Sequence, residues 1–195
     1  MSNLPTTSDA ILHCARSLII ERGYNGFSYA DISKVVGIRK ASIHHHFPAK
    51  TDLVRTLVAR YREDAEAAAA ELGRRFPDPA DQLAAYTEYW AACIGDGTRP
   101  FCVCAQLASE MPALPAEVAL EVRAYFRMFS AWVTSLMEQG AEKGSLTLAG
   151  SPQSEAEAFI ATVHGAMLSA RAYGDPAAYA AITRPLIERL AATRR

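Results

Sequence analysis

The chain has 195 residues, half of them hydrophobic, with 20 Lys and Arg against 21 Asp and Glu and four cysteines. That length suits one or two domains with a real core, and the composition excludes wholesale disorder. No apolar run approaches the roughly 20 residues that cross a bilayer, and Met1 to Ala10 lacks the basic and apolar segments of a signal peptide, so a cytoplasmic location without membrane contact is expected. In that reducing setting four scattered cysteines read as thiols rather than as a disulfide scaffold.

The elements read as helices throughout, because no stretch alternates apolar and polar long enough to argue for a sheet. A first helix starts at the cap Ser8 and runs to about Arg22, with Ile11, Leu12, Ala15, Leu18 and Ile19 on one face and Gly23 ending it. A second spans Ser28 to Val36, with Asp31 completing a capping box, and Gly37 stops it. A third runs from Arg39 to His46, closed by Pro48. A long fourth begins near Lys50, with Leu53, Val54, Leu57, Val58 and Tyr61 at core spacing. After the break at 76–79, helices are expected at about 80–95, 100–110, 116–142, 153–173 and 176–193, separated by Gly- and Pro-bearing segments. Pro185 is a candidate kink in the last.

Charge is unevenly spread. Residues 1–62 hold nine basic and four acidic side chains, an excess of five positive charges, and the remainder carries an excess of six negative ones. A basic head on an acidic body suits a polyanion partner; an unevenly charged solvated surface is the plain alternative.

The second and third helices with Gly37 between them form a helix-turn-helix pattern. Ile32, Val35, Ile38 and Ile43 are spaced to lock the pair inward. The remaining face of the third helix holds Arg39, Lys40, Ser42, His44 and His45, donors able to reach base edges and phosphates in a major groove. No acid stands between Asp31 and Asp52. His44, His45 and His46 point about 100° apart on a helix and cannot all face one ion, so no metal and no cofactor is expected.

The run Gly23-Tyr-Asn-Gly-Phe-Ser28, then Ile32, then Val36 through Lys50-Thr-Asp-Leu53 resembles the TetR/AcrR family of transcriptional repressors. The resemblance covers about residues 8–60; beyond them the chain is similar in length and helical pattern. It implies an all-α fold of about nine helices. Residues 1–52 would be a three-helix DNA-binding head, and 53–195 a helical ligand-binding and dimerisation domain. Ser28, with Tyr29 beside it, matches the capping hydroxyl that bonds phosphate. Ser42 matches the small hydroxyl near bases, and His46 and Lys50 match phosphate contacts. Arg39 and Lys40 fall where family members vary and read sequence. Two positions depart from the family pattern. His44 replaces the usual tyrosine, which opens that contact to pH, since histidine titrates near neutrality. Arg39 replaces a serine-like cap worth about 1 kcal/mol.

The body is rich in large apolar side chains, which suit a core and, by the resemblance, an effector cavity. Tyr89, Trp90, Cys102, Gln106, Glu110, Arg127, Phe129 and His164 are its candidate lining. Cys102 and Cys104 diverge by about 200° on a helix and make a poor chelating pair; a lowered thiol pKa near a helix start makes Cys102 a candidate electrophile or redox sensor. Phe159, Ile160, Val163, Ala166, Met167 and Ala170, with Tyr179, Ile182, Leu186, Ile187 and Leu190, suggest a dimer surface on the last two helices. The expected protein is a homodimeric repressor on a palindromic operator in double-stranded DNA, released by a small-molecule effector. An enzyme or interaction module using Glu110 and His164 in the apolar body is the alternative, although no nucleophile elbow, phosphate loop or HExxH pattern is present.

Overall fold

The computed structural model describes residues 6–192. Its elements are α1 (Thr7–Arg22), α2 (Tyr29–Val36), α3 (Lys40–His46), α4 (Lys50–Arg75), α5 (Pro79–Gly95), α6 (Val103–Ser109), a 3₁₀ turn (Met111–Ala113), α7 (Ala116–Lys143), α8 (Pro152–Tyr173) and α9 (Ala177–Leu190). The only β pairing among the described residues is an isolated bridge between Leu146 and Ala191. Among the described residues no helix is long and apolar enough to cross a membrane.

Local chemistry sets the helix ends. Thr6, not Ser8, caps α1: its hydroxyl accepts from the Asp9 amide and the Asp9 carboxylate accepts from the Thr6 amide at 2.9 Å. The box needs an acid three residues on, and Thr6 has one where Ser8 has Ile11. Ser28 caps α2 as the sequence suggests, with Asp31 in the reciprocal position. Asp78 and Ser151 cap α5 and α8, each followed by a proline in the first turn. Pro185 sits inside α9 without ending it.

The contacts divide the chain into two compact units. Of the described residues, the first comprises 6–63 and 103–125. Its core gathers Ile11, Ala15 and Ile19 of α1, Ile32 of α2, Ile43 of α3, Leu53, Val54 and Val58 of α4 and Leu107 of α6, all buried. Within it α1 packs on α2 and α6, and α2 on α3. The second comprises 64–102 and 126–192 and buries Leu83, Trp90, Val133, Met137, Phe159, Val163, Met167 and Tyr179, with α9 packed on α5 and α8. The chain passes from one unit to the other within α4, at the Cys102–Val103 bond and within α7. α6 therefore groups with α1, α2 and α3 in the first unit.

The C-terminal end of α9 is fixed. At its close the Thr147 amide donates to the Leu190 carbonyl at 2.8 Å, and the Ala192 amide to the Ser145 carbonyl. Glu155, a buried carboxylate, accepts from the Ala149 and Gly150 amides and from the Arg189 guanidinium at 3.2 Å. A buried charge is tolerable when so satisfied.

Candidate functional site

The helix pair is built as its residues dictate. The Ser28 hydroxyl accepts from the Ala30 amide at 3.2 Å and donates to Asp31 at 2.7 Å; those bonds from Ser28 hold the Asp31 carboxyl below its usual range. Gly37 takes the left-handed conformation (φ 76°, ψ 26°) and its amide closes α2 on the Ser33 carbonyl. In that geometry the chain turns directly into α3. Arg39 caps α3 with no side-chain hydrogen bond, as its identity implies, and Ile43 is the one buried residue of that helix. Arg39, Lys40, His44, His45 and His46 are exposed, and Ser42 is half-buried. Arg39 and Lys40 carry no ion pair among the described residues.

Of the residues singled out for a DNA contact, Tyr29 is buried and Lys50 half-buried. Tyr29 is buried, its hydroxyl donating to the Phe47 carbonyl at 2.8 Å, and burial pushes that hydroxyl up to about 12. Its ring meets His44 edge-on at 4.8 Å, and His44 Nδ1 lies 3.1 Å from the Pro48 carbonyl. Tyr29 and His44 thus fasten the end of α3. Lys50 donates from Nζ to the Phe27 carbonyl, over the Phe27 ring at 4.0 Å and the Tyr24 ring at 4.9 Å. Burial lowers its pKa.

Gln106 and Glu110, expected in an effector cavity, belong to the first unit. Glu110 Oε2 accepts from the Tyr24 amide at 2.9 Å, and Gln106 Nε2 donates to Glu110 Oε1 at 3.0 Å. Sequence reading had no signal for this, since Tyr24 and Glu110 stand 86 residues apart.

The second unit has an aromatic interior. The Tyr86 ring lies 5.3 Å from Phe129, 5.6 Å from Trp132 and 6.3 Å from Phe159. His164 lies 5.4 Å from Phe126 and 6.0 Å from Phe129. Trp90 is buried and its indole N–H donates to the Tyr86 hydroxyl, which burial pushes well up. Tyr179 has no exposed surface, and among the described residues neither its hydroxyl nor His164 Nε2 has a hydrogen-bond partner. Unsatisfied buried polar atoms are rare and call for a cause. In the sequence Tyr179 belongs to the expected dimer surface, whereas here it is fully buried within the chain; its polar tip among apolar neighbours is the available signal. Of the other expected lining residues, Tyr89 is exposed beneath Arg99 at 5.8 Å, and Arg127 lines an open surface groove of about 410 Å³ with Phe126, Ser130, Gln153 and Glu157. Cys102 and Cys104 are both fully buried.

The inward face of α8 also differs from the expected dimer surface. Phe159, Ile160, Val163, Ala166, Met167 and Ala170 are buried within the chain, and the large apolar residues left exposed on these helices are Leu168 and Tyr173 on α8 and Ile182 on α9. Helical spacing shows that a face is apolar without showing what covers it.

Residues 11–57 match the family described as bacterial regulatory proteins, tetR family, and residues 79–186 match a tetracyclin repressor-like C-terminal domain. The fold is similar to the crystal structure of a TetR-family transcriptional regulator from Agrobacterium tumefaciens, 62% identical, with a TM-score of 0.92 over 95% of this chain and 97% of that one. A TetR transcriptional regulator from Legionella pneumophila shares the fold at 24% identity, with a TM-score of 0.86 over 96% of this chain and 99% of that one. The biofilm operon icaADBC HTH-type negative transcriptional regulator IcaR of Staphylococcus epidermidis is 42% identical over 50 residues. That match covers 26% of this chain and 27% of IcaR, so the likeness to that curated relative spans about a quarter of each length.

Proposed function

The chain belongs to the tetR family of bacterial regulatory proteins, and from that premise we propose that it represses transcription in the cytoplasm as a homodimer on a palindromic operator, released by a small molecule. The family consists of transcriptional regulators rather than enzymes, so Glu110 and His164 are not an acid–base pair. In this reading residues 1–52 are the DNA-binding head and the remainder holds effector and partner.

One observation carries the DNA reading: α3 keeps a single side chain inside and presents Arg39, Lys40, His45 and His46 to solvent. Ser42 stands among them on the same helix, Ser28 caps α2, and Lys50 opens α4. One short helix reads few bases, and a symmetric pair about one helical turn apart (~34–36 Å) reads a palindrome. Leu168, Tyr173 (74% exposed) and Ile182 give the last two helices the apolar outer surface that such a dimer would cover.

Affinity for duplex DNA is expected to fall steeply with salt, with a log–log slope of about −0.9 for each phosphate neutralised. Lys40→Ala should make that slope shallower by about 1 where it meets phosphate, or change the preferred sequence where it meets a base. A mobility-shift titration at several salt concentrations reads both. Lys40→Ala binding like the parent at every salt concentration would show that α3 does not dock as described.

For the effector, the aromatic interior with two unspent polar atoms suits an uncharged molecule with a flat apolar body and a hydrogen-bond acceptor for Tyr179. The buried carboxylate of that unit, Glu155, is already spent on Arg189 and two amides, which leaves it unavailable to a cation. Full burial of Cys102 and Cys104 favours binding over thiol modification as the signal. Tyr179→Phe is expected to leave the melting temperature of the free protein unchanged or slightly higher, because it removes a hydroxyl with nothing to bond. The same substitution should weaken neutral aromatic hits from a thermal-shift screen about 3- to 10-fold, the worth of one hydrogen bond. A clear drop in the melting temperature of the free protein would show instead that the hydroxyl is partnered.

A further inference from the structure

We propose that Glu110 is a positioning residue for DNA binding, fixing the α1–α2 turn that in turn holds the ammonium of Lys50; the proposal rests on Lys50 meeting phosphate, as above. The first observation is that both carboxylate oxygens are engaged, Oε2 by the Tyr24 amide at 2.9 Å and Oε1 by Gln106 at 3.0 Å. The segment just after α6 is thereby bonded to the backbone of the turn.

The second is that the turn leaves space for the carboxylate. A Cβ on Gly23 would lie 2.5 Å from Glu110 Oε1 and 2.7 Å from Oε2, and Gly23 has φ +74°. Only glycine combines that backbone with that clearance.

The third is what the turn then holds. Tyr24 and Phe27, both buried, set their rings against Lys50 Nζ, and the Phe27 carbonyl accepts one of its three hydrogens. Lys50 is the first residue of α4, where the helix end favours an anion and disfavours a cation. A cation held there, with hydrogens to spare, is arranged to share an anion with the helix end. Burial works against its charge, and the carboxylates of Asp31 and Glu110 work for it. Glu110 thus supports Lys50 twice, through the geometry of the turn and through its charge.

The test uses the full chain and a mixed-sequence duplex of about 30 base pairs, since phosphate contact needs no particular sequence. Lys50→Met, Glu110→Ala and the double variant are titrated at several salt concentrations. Glu110→Ala should bind about 3- to 10-fold more weakly with a shallower salt slope, approaching Lys50→Met, and the double variant should bind no more weakly than Lys50→Met alone. If Glu110→Ala fails to fold, Glu110→Gln keeps the shape, removes the charge and should still make the slope shallower. A merely structural role would leave the slope unchanged and add its loss to that of Lys50→Met, and either result overturns the proposal. Lys50→Met binding like the parent would overturn the phosphate reading itself, whereas a weakened Lys50→Met beside an unaffected Glu110 variant would overturn the positioning role alone.

Discussion

Gly26→Ala is expected to cost roughly 3 kcal/mol and to weaken DNA binding with it, the size of effect seen when a well-packed site is overfilled. A Cβ at Gly26 would lie 2.1 Å from the Arg22 carbonyl oxygen and 2.6 Å from the Arg22 Cβ. Most of that obstacle is backbone at the last turn of α1, which cannot swing aside as a side-chain tip can. Relief requires α1 to fray or the turn to move, and the turn carries Phe27, whose carbonyl holds Lys50, and Ser28, which caps α2. Gly37→Ala is the control. Its φ of +76° costs a non-glycine residue about 1–2 kcal/mol, but an added Cβ there meets nothing within 4 Å. At roughly 2–4 °C per kcal/mol for a chain of this size, thermal melts should separate the two variants clearly. A larger loss for Gly37→Ala would refute the steric account of the turn.

That ranking shows what the sequence conveys and what it withholds. Gly37 is legible as a turn glycine because two short helices flank it. Gly26 is not, because its constraint is the distance to a carbonyl four residues back, which only the folded turn defines. Capping follows the same division. The Ser28–Asp31 box is legible because its whole geometry lies within four residues, and the true cap of α1 is legible on the same terms, since Asp9 stands three residues after Thr6 and Ser8 has no such acid. Helix order and the basic face of α3 come from local pattern and composition, so they are legible too. The partners of Lys50, Glu110 and Tyr29 depend on chain segments 18 to 86 residues away. No local signal distinguishes a cation reaching for phosphate from one seated against aromatic rings. For the same reason, the apolar stripe of α8 announces burial but not whether its own chain or a partner supplies the cover.

Ile43→Ala tests the surface on which the DNA reading rests. α3 has seven residues, Arg39 gives it no capping bond, and Ile43 (0% exposed) is its one buried residue. So short a helix does not hold itself together in water and owes its shape to what it packs against. Its remaining fastenings lie at the far end, where Phe47 is buried and Tyr29 bonds the Phe47 carbonyl. Truncating Ile43 removes the anchor in the middle and leaves a cavity, at a cost of about 2–5 kcal/mol. Ile43→Val keeps the branch at Cβ and should cost only about 0.5–1.5 kcal/mol. DNA affinity should then part company with global stability. At a temperature where both variants are folded, Ile43→Val should bind nearly as the parent does. Ile43→Ala should bind more than about tenfold more weakly, because the donors at 39, 40, 45 and 46 no longer share one fixed face. The comparison needs a melt and a titration on each variant at one salt concentration. If Ile43→Ala melts early yet binds duplex DNA as the parent does, α3 is a strut of the head and the reading surface lies elsewhere.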